Sequence, residues 1–222
     1  MKPVIFDFNG TLFWDTEKHH EAWRVFAEKL CGRKLDEEEL HRHVLGKTNE
    51  LILDYLQPGK YTAAQADEIG RKKEAFYREL CLADRASFHL AEGAEALLGR
   101  LVAEKCPIAI ATSSDAENLQ FYLDHFALSR WFSPEHIVYA DGSFRGKPYP
   151  DIYLAAAKRL GVKPEDAVVL EDAASGVKAA RAAGVQTVIA VNSMHDRTLF
   201  DSVPGVSAVV DSLLEVPALL GL

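Results

Sequence analysis

Short apolar runs recur along the chain as PVIFDF near the start, then CPIAIATSS, HIVYA, DAVVLED, VQTVIAV and SAVV. Each is brief and apolar on both faces, the pattern of strands in a parallel sheet covered on each side. Between them the spacing changes to that of helices. Gly93 to Lys105 places Leu97, Leu98, Leu101 and Val102 on one face. Asp115 to Phe126 follows with Asp115 as its expected N-cap. Pro150 to Leu160 and Ala174 to Ala183 each stop at a glycine, Gly161 and Gly184. Strand and helix alternating from Ala91 onward predict an open, doubly wound α/β sheet.

The first strand stands apart from this series. From Asp15 to about Phe88 the chain reads as helix throughout. HHEAWRVFAEKL sets Ala22, Trp23, Phe26, Ala27 and Leu30 at helical spacing, so Trp23 is read as packing. DEEELHRHVL opens on an expected Asp36 cap with acids in its first turn, which suits the helix dipole. TNELILDYL and AAQADEIGRKKEAFYREL complete the set. The predicted organisation is a core of residues 1–14 and 88–222 with a helical insert over residues 15–87.

Charge narrows the choice of partners. The 222 residues carry 33 acidic and 25 basic side chains, a formal charge of −8. Such a surface is a poor match for nucleic acid or an anionic membrane, and an anionic substrate would need a local cationic site. The three cysteines form no Cys-x-x-Cys pair and are read as reduced and mostly buried. No run is long and apolar enough for a signal h-region or a bilayer span, so a cytoplasmic protein is expected; a monomer is the expected state, with a dimer as the alternative.

Four short motifs fall at strand ends or helix starts: Asp7-Phe-Asn9-Gly10-Thr11, Thr112-Ser113-Ser114, Gly146-Lys147-Pro148 and Glu171-Asp172. Each has a bland reading. Asn-Gly between apolar runs is a hairpin turn signal, Lys147 alone is a solvated loop lysine, Glu171-Asp172 a helix cap, and Thr112 a strand-end hydroxyl. In a parallel sheet, however, the carboxyl ends of the strands share one edge where ligands bind. An acid, a hydroxyl cluster, a lysine and an acid pair should then converge into a site for phosphoryl transfer. Asp7, Asp172 and Glu171 offer the oxygen ligands Mg²⁺ prefers. The metal and Lys147 would neutralise phosphate, with Thr112, Ser113 and nearby N–H groups on its oxygens. Asp7 could attack phosphorus in line.

In order, DFNGT, ATSS, GKPYPDIY and LEDAASGVKAARAAG, with DTEKHHEAW opening the insert, resemble the haloacid dehalogenase superfamily. Within it the likeness is to the β-phosphoglucomutase-like phosphatases, across essentially the whole chain. The resemblance implies a Rossmann-like core with an inserted helical cap, a small hairpin flap after strand one, Mg²⁺ as cofactor and a small phosphorylated metabolite as substrate. Position by position it implies Asp7 as nucleophile and metal ligand, the Asn9 carbonyl as second ligand, Thr112 as phosphate-binding hydroxyl and Lys147 as the neutralising lysine. Asp172 would be the carboxylate ligand, and Glu171 would hold a metal-bound water. Substrate choice would fall to the cap, where His19 matches a hinge-side histidine. Asn49 stands where family mutases carry an arginine, with Lys47 nearby, which places a sugar-bisphosphate mutase in doubt.

The chain departs from the family at position 9, where its phosphatases have an Asp acting as general acid and base. Asn9 cannot transfer a proton. The expectation is a phosphohydrolase with weakened proton transfer. Alternatives are a phosphate-binding or sensing protein of the same fold and, third, a dehalogenase proper, against which Glu171-Asp172 speaks.

Overall fold

The computed structural model describes residues 1–222 and divides into two compact units, residues 1–14 with 89–222 and residues 15–88. The larger unit holds six strands: β1 (Val4–Phe6), β2 (Ile108–Ala111), β3 (Ile137–Val138), β4 (Val168–Glu171), β5 (Thr187–Val191) and β6 (Ala208–Val210). All pair in parallel in the order β3-β2-β1-β4-β5-β6. All six predicted strands are present, and the direction of winding reverses beside β1. Phe6 lies level with Ile110 of β2 and Leu170 of β4, so the residues that follow these three strands emerge together at one edge.

The strands are short and apolar because both faces are covered. Val4, Ile5 and Phe6 are wholly buried, as a central parallel strand requires. Helices α5 (Ala94–Ala103), α6 (Ala116–Phe126), α7 (Asp151–Leu160), α8 (Ala174–Ala182) and α9 (Val216–Leu220) belong to this unit. Asp115 caps α6 as expected, its carboxylate accepting from the Asn118 N–H at 2.8 Å. Gly161 closes α7 in the left-handed region at φ +69°. Alanines of α7 and α8 lie against Ile5, Ala109 and Val169 in a closely packed core; small side chains there let the helices approach the sheet.

The second unit is all helical: α1 (Thr16–Cys31), α2 (Glu37–Glu39), α3 (Asn49–Leu56) and α4 (Ala63–Ala83). Trp23 of α1 packs with Leu40, Val44, Ile52, Leu53 and Ala66, the interior of this unit. Thr62 and Gln65 form a reciprocal cap at the start of α4. The helix expected from Asp36 is shorter than its pattern suggests. Asp36 does cap it, but after Glu39 the chain widens into a π-helical turn over Leu40–Val44. Leu40 and Val44 are buried while His41 and His43 between them stay partly exposed. No helix is long and apolar enough to cross a membrane.

Candidate active site

Asp7 continues β1 by one residue. Its N–H donates to the Leu170 carbonyl at 3.0 Å, and its side chain is only 5% exposed at the carboxyl edge of the sheet. The chain then turns sharply: the Phe8 carbonyl accepts from the N–H groups of Thr11, Leu12 and Phe13 at 3.2, 2.9 and 3.0 Å. This differs from the hairpin flap expected after strand one. Only an isolated bridge joins Asn9 and Phe13, with no antiparallel strand pair. Of the Asn-Gly pair, Gly10 alone has positive φ, +75°. Its reason is tertiary, since a Cβ there would lie 2.0 Å from Asp172 Oδ2. The glycine lets the first motif approach the fourth.

The acid pair follows directly from β4. Glu171 is 1% exposed and fully engaged. Its Oε1 accepts from Lys147 Nζ at 2.5 Å and from the Tyr153 hydroxyl at 2.9 Å. Its Oε2 accepts from the Ala173 N–H at 2.9 Å. Gly176 in the first turn of α8 makes room for it, because a Cβ at that position would sit 1.6 Å from Oε1. Lys147 also donates to Asp7 Oδ1 at 2.6 Å, so one ammonium joins two buried carboxylates.

Asp7, Glu171 and Asp172 each present a carboxylate oxygen within 4.8 Å of the others. Three acids thus face one ammonium, two more than the lysine can pair. The electrostatics follow: burial, together with the neighbouring Glu171, pushes Asp7 up to about 7 despite the opposing Lys147. Burial would lower the lysine, but Asp7 and Glu171 outweigh it and hold Lys147 above its ordinary value. Burial first, then the same carboxylates, raise Tyr153. An oxygen-only donor set with this excess charge fits a small divalent cation such as Mg²⁺.

Thr112 leaves β2 with its N–H on the Val138 carbonyl at 3.0 Å, and its side chain is wholly buried. Its Oγ1 accepts from the Ser114 N–H at 3.1 Å and donates to Asn9 Oδ1 at 3.3 Å. Ser114 Oγ donates to the same oxygen at 2.7 Å. On its other side Asn9 Nδ2 donates to the Tyr122 hydroxyl at 2.7 Å. Ser113 is exposed at the tip of this turn. The structure therefore gathers Asp7, Asn9, Thr112, Lys147, Glu171 and Asp172 at one sheet edge. Tyr122, Tyr153 and Gly176 were not singled out from sequence; Tyr153 and Gly176 lie inside the motifs GKPYPDIY and LEDAASG, while Tyr122 carries no local signal.

The remaining candidates lie in the helical unit. Lys47 is exposed. Asn49 Nδ2 donates to Glu74 Oε1 at 2.9 Å. His19 Nδ1 is 2.7 Å from Lys73 Nζ, and its ring stacks on Tyr77 at 3.9 Å. Lys73, 2% exposed, also donates to Glu74 at 2.9 Å and lies over the Trp23 ring. Burial alone would raise Glu74, but Lys73 and His19 bring it down to about 2. This buried ion pair inside α4 has no counterpart in the sequence analysis, which takes AAQADEIGRKKEAFYREL only as helix.

A parallel sheet in this order with carboxylates, a lysine and hydroxyls at its carboxyl edge defines an α/β enzyme built to handle an oxyanion. The model of the haloacid dehalogenase-like hydrolases matches residues 1–184, and the chain belongs to that family. Among its relatives is the phosphorylated carbohydrates phosphatase of Thermotoga maritima, 31% identical over 88% of this chain and 88% of that protein. The β-phosphoglucomutase of Bacillus subtilis is 32% identical over 85% of this chain and 82% of its own length. Among solved structures, a family IA, variant 3 hydrolase of the same superfamily from Entamoeba histolytica superposes with a TM-score of 0.89. It is 33% identical and matches over 97% of this chain and 95% of the other.

Proposed function

We propose that this enzyme is a Mg²⁺-dependent phosphoric monoester hydrolase acting on a small phosphorylated metabolite through an aspartyl phosphate on Asp7. One observation carries the reading: the buried Asp7 carboxylate, held by Lys147, shares the sheet edge with Glu171 and Asp172 in a cluster too negative for one lysine. Relatives named as phosphatases of phosphorylated carbohydrates and of hexitol phosphates support the substrate class.

Asp7, Asp172 and the Asn9 backbone carbonyl would hold the cation, with Glu171 holding a water on it. Bound Mg²⁺ supplies charge neutralisation for the phosphate oxygens. Lys147 opposes the desolvation that raises Asp7, and hydroxyls and N–H groups of the Thr112–Ser114 turn receive the remaining oxygens. An Asp7 oxygen attacks phosphorus, and the bond from phosphorus to the leaving oxygen breaks. Water then attacks the aspartyl phosphate, releasing orthophosphate and restoring Asp7. Because Asn9 carries no transferable proton, the leaving oxygen departs as an anion and the water is not deprotonated by position 9. Activated leaving groups should therefore support the first half-reaction while the second lags. We assign substrate selection to the cap, through His19, Lys47 and Asn49.

The test is rapid-mixing release of nitrophenol from p-nitrophenyl phosphate with and without Mg²⁺. A Mg²⁺-dependent burst followed by a slow steady state is expected. Linear release from the first turnover at the rate of an Asp-bearing relative would refute the role given to Asn9. The second reading, a phosphate-binding protein without turnover, is favoured by Asn9 itself, which has no proton to transfer; it requires phosphate binding with no burst.

A further inference from the structure

The Asn9 side chain occupies groups that a phosphate would need. A hydroxyl has a single proton. That of Thr112 points at Asn9 Oδ1, while its oxygen already accepts from the Ser114 N–H. The proton of Ser114 Oγ points at the same Oδ1. The unprotonated oxygens of a phosphate only accept, so with Asn9 in this position neither hydroxyl can donate to them. The amide is kept there from behind. Tyr122 receives the Asn9 Nδ2 hydrogen at 2.7 Å and is itself wholly buried, stacked on Phe8 at 4.5 Å and 28°. Phe126 lies alongside, its ring 6.3 Å away. A rigid phenol on one side and two hydroxyls on the other fix the rotamer.

We propose that Tyr122 is a positioning residue that latches Asn9 across the hydroxyls of Thr112 and Ser114, so that an oxyanion binds only by displacing the amide. The inference rests on the phosphate-site reading above. It departs from that reading in giving position 9 a part in binding as well as a deficit in proton transfer. An amide suits the latch because its two ends differ: the oxygen accepts from the hydroxyls while the NH₂ donates to the phenol.

Calorimetric titration of the Mg²⁺-loaded protein with inorganic phosphate tests this in wild type, Tyr122→Phe, Asn9→Ala and the double variant. Tyr122→Phe keeps the ring and removes the hydroxyl that accepts from Asn9, so it should bind phosphate roughly three- to ten-fold more tightly, the worth of one hydrogen bond. Asn9→Ala should bind at least as tightly, and adding Tyr122→Phe to it should change nothing further. Damage to packing would weaken binding, the opposite direction. Equal or weaker binding by Tyr122→Phe with an unchanged melting temperature overturns the latch. Should Tyr122→Phe melt early, Asn9→Ala decides alone, and no gain there also overturns it. No phosphate binding by any form overturns the site reading itself.

Discussion

Replacing Gly176 by alanine sets two effects against each other within one methyl group. In an exposed helix interior the change would stabilise by about 1 kcal/mol, since alanine is the better helix former. Here the new Cβ would fall 1.6 Å from Glu171 Oε1 and 1.9 Å from its carboxyl carbon. A free glutamate would swing aside, but this one is 1% exposed and tied to Lys147, Tyr153 and the Ala173 N–H. Moving Oε1 away breaks its bonds to Lys147 and Tyr153. Hydrogen bonds to charged groups are worth about 1.5–3 kcal/mol each, so the loss is roughly 3–6 kcal/mol. Less the helix gain, Gly176→Ala should destabilise by about 2–5 kcal/mol. Gly99→Ala is the control, because nothing lies within 4 Å of its added Cβ in α5; it should stabilise by up to about 1 kcal/mol. Urea denaturation of the two variants beside wild type measures both. Gly176→Ala as stable as Gly99→Ala would refute the claim that Glu171 is locked in place.

Restoring an acid by Asn9→Asp should raise steady-state nitrophenol release by about 10²–10⁴, the usual worth of a general acid–base group; an unchanged rate would place the defect elsewhere. Because Asn-Gly sequences deamidate, intact-mass measurement should accompany the wild-type assay. Removing Mg²⁺ with a chelator should abolish the burst, and adding it back should restore it. Neither ring nitrogen of His20 has a hydrogen-bond partner. Burial first, then His41, Arg24, His19 and Lys73, bring it from 6.5 down to about 4. Below pH 6.5 the unfolded chain binds a proton that the fold refuses, so stability should fall between pH 6.5 and 4. The slope is at most about 1.4 kcal/mol per pH unit, or roughly 3 kcal/mol in all. Urea curves for His20→Leu across that range should lack this component.

The strands were legible because burial on both faces leaves an unmistakable apolar run, as in Val4–Phe6 and Val168–Leu170. The caps at Asp36, Asp115 and Gly161 were legible because each is settled within a few residues. The Asn-Gly turn was only half legible: its glycine is set by Asp172, far away in sequence, rather than by a hairpin. Tyr122, 113 residues from the amide it binds, leaves no local trace, and an aromatic on an amphipathic helix reads as packing. The buried Lys73–Glu74 pair escaped notice for a related reason, since two adjacent charges on a helix read as solvated.

The strand that carries Asp7 leaves the ribosome before the rest of its sheet, and its neighbours on both sides come late, at Ile108–Ile110 and Val168–Leu170. At about 5–20 residues per second, Val4–Phe6 waits roughly 8–33 seconds for its second partner. A chaperone therefore has longest to guard Val4–Phe6, three wholly buried apolar residues with no sheet yet to join.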